Sequence, residues 1–222
     1  MKKILLFSIL AAFLTGKGHA QSYELRTMDD SVSYAFAIDA AEQLKMMFPD
    51  ANPDAMAAAF RDVLGDRPGR MSRDDAYAYL SEYFTVRLPA INQEKSEAWL
   101  AEVQRENPNV RKTESGLLYE IVKPGDGVKP TSDTDEIVFH YEGRLKNWEV
   151  FDSSLERGEP LRVTLGLLIP GWIEGMKLIG QGGVIRLWIP SELAYGERAS
   201  GPIPPNEALY FEVELIEVVS AT

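Results

Sequence analysis

The apolar pattern of this chain changes period at Pro108, and that change limits the folds open to it. Before Pro108, apolar residues recur three and four positions apart, the spacing of one helix face. After it they alternate with polar residues or gather in short β-branched and aromatic runs, as strands do. Helices first and strands second give an α+β arrangement, not a parallel α/β sheet.

The helical part can be followed turn by turn. Capping types crowd residues 27–31, and Tyr34, Ile38, Ala41, Leu44 and Phe48 follow at helical spacing until Pro49 ends the run. Asn52 and Pro53 suit the cap and first position of a second helix. Met56, Ala59, Phe60 and Val63 share its face, and Gly65 is placed to close it in a left-handed cap. The turn "DRPGR" follows. Ser72 and Asp75 resemble a capping box opening a third helix, with Ala76, Leu80 and Tyr83 or Phe84 inside. Pro89 is expected to break or kink that helix. Asn92 would then cap a fourth, ending near Asn107 and charged apart from Trp99, Leu100 and Val103. So few residues in short helices bury little surface, yet their apolar faces are generous. Ala37, Met46, Met47 and Met56 could meet a partner, which predicts a homodimer through about residues 27–88.

Strands are expected at 117–122, 136–145, 160–165, 183–190 and 210–219. In the last, Phe211, Val213, Leu215 and Val218 oppose Glu212, Glu214 and Glu217, so one face is buried and one is wet. A single helix near 172–179 lies among them. The expected fold is a helical N-terminal dimerisation domain followed by an antiparallel β-sheet wrapped around one short α-helix.

Composition removes several functions. A net charge of −11 lacks the basic footprint of a nucleic-acid binder. With no cysteine, disulfides, thiol catalysis and cysteine-held metals are excluded. His19 and His140 are the only histidines, too few for a histidine-rich metal site. The opening "MKKILLFSILAAFLTGKGHAQ" has a Lys pair, an apolar run too short to span a bilayer, and Gly18-His19-Ala20 before a cleavage point. This predicts a secretory signal peptide over 1–20 and a mature chain from Gln21. An exported chain without cysteine cannot carry a bacterial lipoprotein anchor and must rest on its core.

Familiar catalytic patterns are missing: no GxSxG, HExxH, phosphate-binding loop or dinucleotide-binding glycine set. Gly180, Gly182 and Gly183 fall between a helix and a strand, the wrong order for phosphate binding, and read as a turn. His140, between Phe139 and Tyr141, reads as a packed strand histidine. What stands out is aromatic: Tyr141 in "HYEGRL", Phe151 in "VFDSSLERGEP", Trp172 in "LIPGWIEGM", and Tyr195, Ile203 and Phe211 in "LAYGERASGPIPPNEALYFEVEL". An apolar pocket with a few placed polar groups suits a small ligand. Any one of these residues alone is more simply core, and Asp152-Ser153-Ser154 alone a turn.

Their order over 138–219 resembles the FKBP-type peptidyl-prolyl cis-trans isomerases. "AFRDVLGDRPGRMSRDDAYAYLSEYF" is similar to the N-terminal dimerisation region of exported members of that family, the macrophage infectivity potentiator and FkpA types. The resemblance implies a dimerisation domain and linker helix over 21–107 and an isomerase domain over 108–222, with its core at about 134–220. Trp172 would be the floor under a substrate proline, with Tyr141, Phe151 and Phe211 as walls. Leu168 and Ile169 would form the rim, the Ile169 N–H bonding the ligand. Asp152 and Tyr195 would supply polar contacts, Arg157 would lie near Asp152, and Ile203 would close the far side. Leu161 stands where many members carry an aromatic, "ERASGPIPP" departs from the usual loop order, and the linker helix is shorter than in some dimeric relatives.

The resemblance implies an isomerase for X-Pro bonds in unfolded exported proteins of the periplasm, possible association with the outer membrane, and inhibition by macrolides of the tacrolimus and rapamycin class. It needs neither cofactor nor metal. A second reading is a periplasmic holdase or peptide-binding module with little isomerase activity; a third is a purely structural exported protein.

Overall fold

The computed structural model of the protein describes residues 23–48 and 50–219. The expected signal peptide and the role of Pro49 lie outside these, as do the side chains of Met46 and Met47. The chain forms two compact units, residues 1–51 and residues 52–222.

The first unit contributes helix α1 (Met28–Met47). A reciprocal cap starts it. The Asp30 N–H donates to Thr27 Oγ1 at 3.1 Å, and the Thr27 N–H donates to Asp30 Oδ2 at 2.9 Å. Two of the four donors left over at a helix start are thereby satisfied. Met28, Val32, Tyr34, Phe36 and Ile38 are all exposed on α1.

The second unit opens with α2 (Pro53–Leu64), where Asn52 Oδ1 accepts from the N–H groups of Asp54 and Ala55. Its end differs from expectation. Gly65 keeps a negative φ of −97°, and the left-handed residue is Asp66, at φ 51°. The Arg67 N–H reaches back to the Asp62 carbonyl at 2.8 Å, closing a Schellman-type stop one residue later than the glycine suggested.

Helix α3 (Arg73–Glu82) starts at the Ser72–Asp75 pair. Pro89 does not break it. A π-helical turn over Tyr83–Arg87 carries the chain straight into α4 (Leu88–Glu106). Proline offers no N–H, and its ring strikes the carbonyl four residues back in a regular helix. A widened turn sits where that clash would fall. Asn92 is therefore no cap: it lies inside α4, and its side chain is buried.

Seven antiparallel strands follow: β1 (Arg111–Lys112), β2 (Leu118–Lys123), β3 (Glu136–Leu145), β4 (Val150–Ser153), β5 (Leu161–Thr164), β6 (Val184–Ile189) and β7 (Leu209–Val219). Their order is β1-β2-β6-β7-β3-β4. One edge of β3 pairs along its length with β7; the other is shared, with β5 on Glu136–Phe139 and β4 on Glu142–Arg144. Between them Ser154 replaces a strand partner, accepting the Tyr141 N–H on Oγ at 2.8 Å. The short helix α5 (Ser154–Arg157), absent from the sequence expectation, fills the detour.

In β7 the inward set runs Phe211, Val213, Leu215 and then slips to Val218. The reason is a bulge: Phe139 pairs with Leu215 and Val138 with Glu217, leaving Ile216 unpaired. An extra residue flips the strand phase, which keeps Val218 against the core.

Helix α6 (Pro170–Met176) lies in the hollow of the sheet, with Trp172 and Met176 buried. It approaches through two glycines. A Cβ on Gly171 would meet Ile189 Cγ2 at 2.4 Å, and one on Gly175 would meet Leu187 Cδ2 at 2.6 Å. The opposite face of the sheet carries Leu118, Trp188 and Tyr210, a cross-strand row covered by Trp99, Leu100 and Val103 of α4.

Candidate active site

The aromatic cluster is built across three strands and α6. Register places Tyr119, Leu187, Phe211, Gly143 and Asp152 in one row over five strands, with Tyr141 one step along on the same face. Trp172 rises from α6 into this row. Its ring lies 4.9 Å from Phe139, 5.0 Å from Phe211 and 5.3 Å from Tyr141, edge-to-face with the last two. Phe151 stands edge-to-face on Phe211 at 5.6 Å. Such tilted contacts suit the ring quadrupoles and hold the walls at fixed angles.

Gly143 makes this possible. A Cβ there would lie 2.6 Å from Phe211 Cε1 and 2.8 Å from Phe151 Cζ. The glycine two residues after Tyr141 is thus a clearance for the Phe151 and Phe211 rings, a role its place in the motif did not disclose.

The polar side is a three-way contact. The Tyr141 hydroxyl donates to Asp152 Oδ2 and accepts from Arg157 Nη2 at 2.9 Å, while Arg157 also forms an ion pair with Asp152. The guanidinium lies over the Tyr141 ring, 5.4 Å from its centre. Burial raises the Tyr141 phenol above its ordinary pKa, and the bond to Asp152 raises it further against the opposing pull of Arg157. Tyr195, 40% exposed, is raised by burial and then by the charge of Asp152. Both phenols therefore keep their protons at neutral pH, and that of Tyr141 is donated to Asp152.

Of the expected site residues, Tyr141, Trp172, Phe211 and Ile203 are buried in the main core. Phe151, Leu161, Leu168 and Ile169 are partly buried and pack against it. Trp172 is 4% exposed, at the base of the aromatic cluster. Asp152, Arg157 and Tyr195 stand at the wet edge. The Ile169 N–H has no hydrogen bond among the described residues, although the Ile169 carbonyl accepts from Trp172 and Ile173. His140 is half-buried and its Nδ1 meets Ser154 Oγ at 3.0 Å. With Nδ1 as donor, this hydroxyl accepts from His140 and Tyr141 and donates to the Tyr141 carbonyl, filling its capacity. No group of three His, Cys, Asp or Glu side chains able to hold a metal occurs among the described residues.

Comparison with known proteins places this architecture. Residues 127–216 match the family model for the FKBP-type peptidyl-prolyl cis-trans isomerase, and residues 29–121 match that for the domain amino terminal to it. The chain is 36% identical over 201 residues to the FKBP-type 22 kDa peptidyl-prolyl cis-trans isomerase of Escherichia coli (strain K12), covering 87% of this chain and 97% of that one. The chain belongs to the FKBP-type peptidyl-prolyl cis-trans isomerase family. Another relative, the outer membrane protein MIP of Legionella longbeachae, is 30% identical over 221 residues, covering 95% of this chain and 94% of its own. The crystal structure of FkpA from Escherichia coli superposes with a TM-score of 0.60 at 30% identity, over 90% of this chain and all of that one. The expected α+β fold, a helical N-terminal part and an antiparallel sheet with one main helix, is the one this FKBP-type enzyme has.

Proposed function

We propose that the hollow over Trp172 is where this isomerase twists the X-Pro bond. Amide resonance sets a barrier of about 18–20 kcal/mol, and no bond need be made or broken to cross it. Water stabilises the polar planar amide more than the twisted one. A dry pocket that fits the twisted form withdraws that advantage and favours the transition state. Trp172 is the floor for the proline ring; Tyr141, Phe151 and Phe211 are the walls; Leu161, Leu168 and Ile203 complete the rim. The Ile169 N–H and the Tyr195 hydroxyl hold the substrate carbonyls, and Asp152, steadied by Arg157, orients the polar edge. The carrying observation is the aromatic cluster centred on Trp172, with the unbonded Ile169 N–H beside it. The test is a protease-free X-Pro isomerisation assay with and without tacrolimus. The reading expects catalysis by the pure protein and its loss with the macrolide; a drug-insensitive rate would overturn the site.

The substrates in this reading are proline-containing segments of unfolded exported proteins, met in the periplasm or at the outer membrane. The chain works as a homodimer through about residues 27–88. Supporting this, α2 and α3 have no buried residue and expose Phe60, Val63, Leu64, Tyr77 and Leu80. A monomeric chain rarely leaves so much apolar surface wet.

A further inference from the structure

One face of α4 carries an uninterrupted stripe at helical spacing: Pro89, Asn92, Gln93, Ser96, then Trp99, Leu100 and Val103. Its apolar end covers the back of the sheet. Its polar end hydrogen-bonds the connection between β6 and β7, which carries Tyr195 and Ile203. Asn92 Nδ2 donates to the Pro205 carbonyl at 2.9 Å. The Ser96 hydroxyl donates to the Asn206 carbonyl at 2.9 Å and accepts the Ala208 N–H at 3.0 Å. Asn206 Nδ2 returns a bond to the Pro89 carbonyl at 3.2 Å. Asn92 and Ser96 are buried, at 7% and 2% exposure.

The loop needs this outside support. Pro204 and Pro205 have no N–H, so the stretch has two fewer donors with which to hold itself. Asn206 is left-handed, at φ 55°, a conformation asparagine tolerates better than most residues. That conformation lets its three polar groups reach two places, α4 and the backbone beside Tyr195. Besides the two bonds to α4, its N–H donates to the Gly196 carbonyl at 2.8 Å, next to Tyr195. Ile203 is held on the other flank by paired bonds with Ser200. The two arms of the β6–β7 connection that carry Tyr195 and Ile203 are thus joined at Asn206, and Asn206 is joined to α4.

We propose that Asn92 and Ser96 of α4, acting through Pro205 and Asn206, are positioning residues that set Ile203 and Tyr195 against the substrate. The proposal rests on the assignment of those two residues to the pocket rim. The polar stripe belongs to the same continuous helix that carries the exposed faces of α3, so the arm of the protein is built into the wall of its catalytic site.

The experiment is saturation kinetics of X-Pro isomerisation on the full chain with Ser96→Ala, Ser96→Thr and Asn206→Gly. Ser96→Ala removes two loop bonds, and Asn206→Gly removes the side-chain bond while leaving the left-handed backbone free to form. Rim contacts serve ground and transition states alike, so each change should raise KM about threefold to tenfold with kcat within about twofold. Ser96→Thr, which keeps the hydroxyl, should restore KM. The amide resonances of Gly196 and Ile203 should shift in Ser96→Ala, although Ser96 touches neither. A wild-type KM in folded Ser96→Ala and Asn206→Gly protein would overturn the proposal, as would a fall in kcat alone that tracks a lowered melting temperature. Phe151→Ala separates this from the pocket assignment. If Phe151→Ala is inactive and KM is unmoved in the α4 and loop variants, only the positioning role fails; if Phe151→Ala is fully active, both fall.

Discussion

A Cβ on Gly143 would sit 2.8 Å from Cζ of Phe151, closer than carbon atoms approach in folded proteins. Gly143 pairs with Asp152 on β4 and Phe211 on β7, so it cannot retreat without moving the sheet. Gly143→Ala should therefore push the Phe151 and Phe211 rings into the pocket rather than displace the strand. Overpacking of this kind costs about 1–3 kcal/mol. The expected result is a folded protein with a lowered denaturant midpoint and a loss of kcat/KM larger than the loss of stability explains. Unchanged catalysis would mean that these rings are not the walls.

Phe151→Ala and Asp152→Ala test the apolar and polar sides separately. Phe151 is partly buried, and its ring contacts Phe211 at one edge of the cluster, so its removal leaves the main core standing. Asp152 and Arg157 are an exposed pair, their side chains 41% and 44% accessible, and such pairs contribute at most about 1 kcal/mol. Both variants should melt close to the wild type and lose isomerase activity, Phe151→Ala by tenfold or more (about 1.4 kcal/mol). Parallel loss of melting temperature and activity would instead make these residues core.

Strands β2, β3, β5, β6 and β7 are readable from alternation and from β-branched or aromatic runs, because burial on one sheet face imposes a period of two; β1 and β4 are too short to show one. The motif order also shows which side chains belong together at Trp172. Other features leave no such trace. The bulge at Ile216 is a register event between β3 and β7, and no single strand reveals its partner's register. Gly65 marks a helix end, but Asp66 takes the left-handed turn, since a short polar side chain can replace glycine there. Asn92 looks like a cap because Pro89 looks like a stop. The π turn before Pro89 removes the stop, and Asn92 is then free to serve a loop more than a hundred residues away. Long-range polar contacts of this kind carry no periodic signal.

Alkaline pH should loosen the back of the sheet. Tyr210 packs among Trp188, Trp148 and Arg186, and burial, then the charge of Glu212, push its phenol up to about 12. In the unfolded chain a tyrosine titrates near about 10. The folded state thus holds this proton longer. The stability it contributes is complete below about pH 10 and is lost as pH rises toward 12. Denaturant midpoints measured from pH 8 to 12 should fall across that window, and Tyr210→Phe should flatten the fall. An equally steep decline in the variant would assign it to other groups.

Self-association can be separated from folding through Phe60 and Leu80, both about half exposed on helices with no buried residue. A charge at either position meets water in a monomer and a desolvated partner in a dimer. Phe60→Glu or Leu80→Glu should shift the sedimenting mass at micromolar concentration from dimer to monomer while the isomerase rate on a short peptide stays near wild type. A wild-type chain that is already monomeric would remove the dimer from the proposal.

The glycine spacing of α6 offers the sharpest test of how the floor is held. Gly171 and Gly175 are one helical turn apart, and each lets the helix backbone rest on a β6 side chain, Ile189 and Leu187 respectively. Trp172 leaves the helix beside this contact, so the height of its ring in the pocket depends on how closely α6 approaches the sheet. Gly171→Ala drives a methyl group into Ile189 Cγ2, which is itself fully buried and has nowhere to go. The helix must rise, and Trp172 with it. The variant should lose about 1–3 kcal/mol of stability and most of its catalysis, although alanine is the better helix former. Pairing it with Ile189→Ala, which removes the Cγ2 atom that the new methyl meets, should recover part of both losses. Activity that returns with stability in the double variant ties the floor to this approach distance; recovery of stability without activity would detach it.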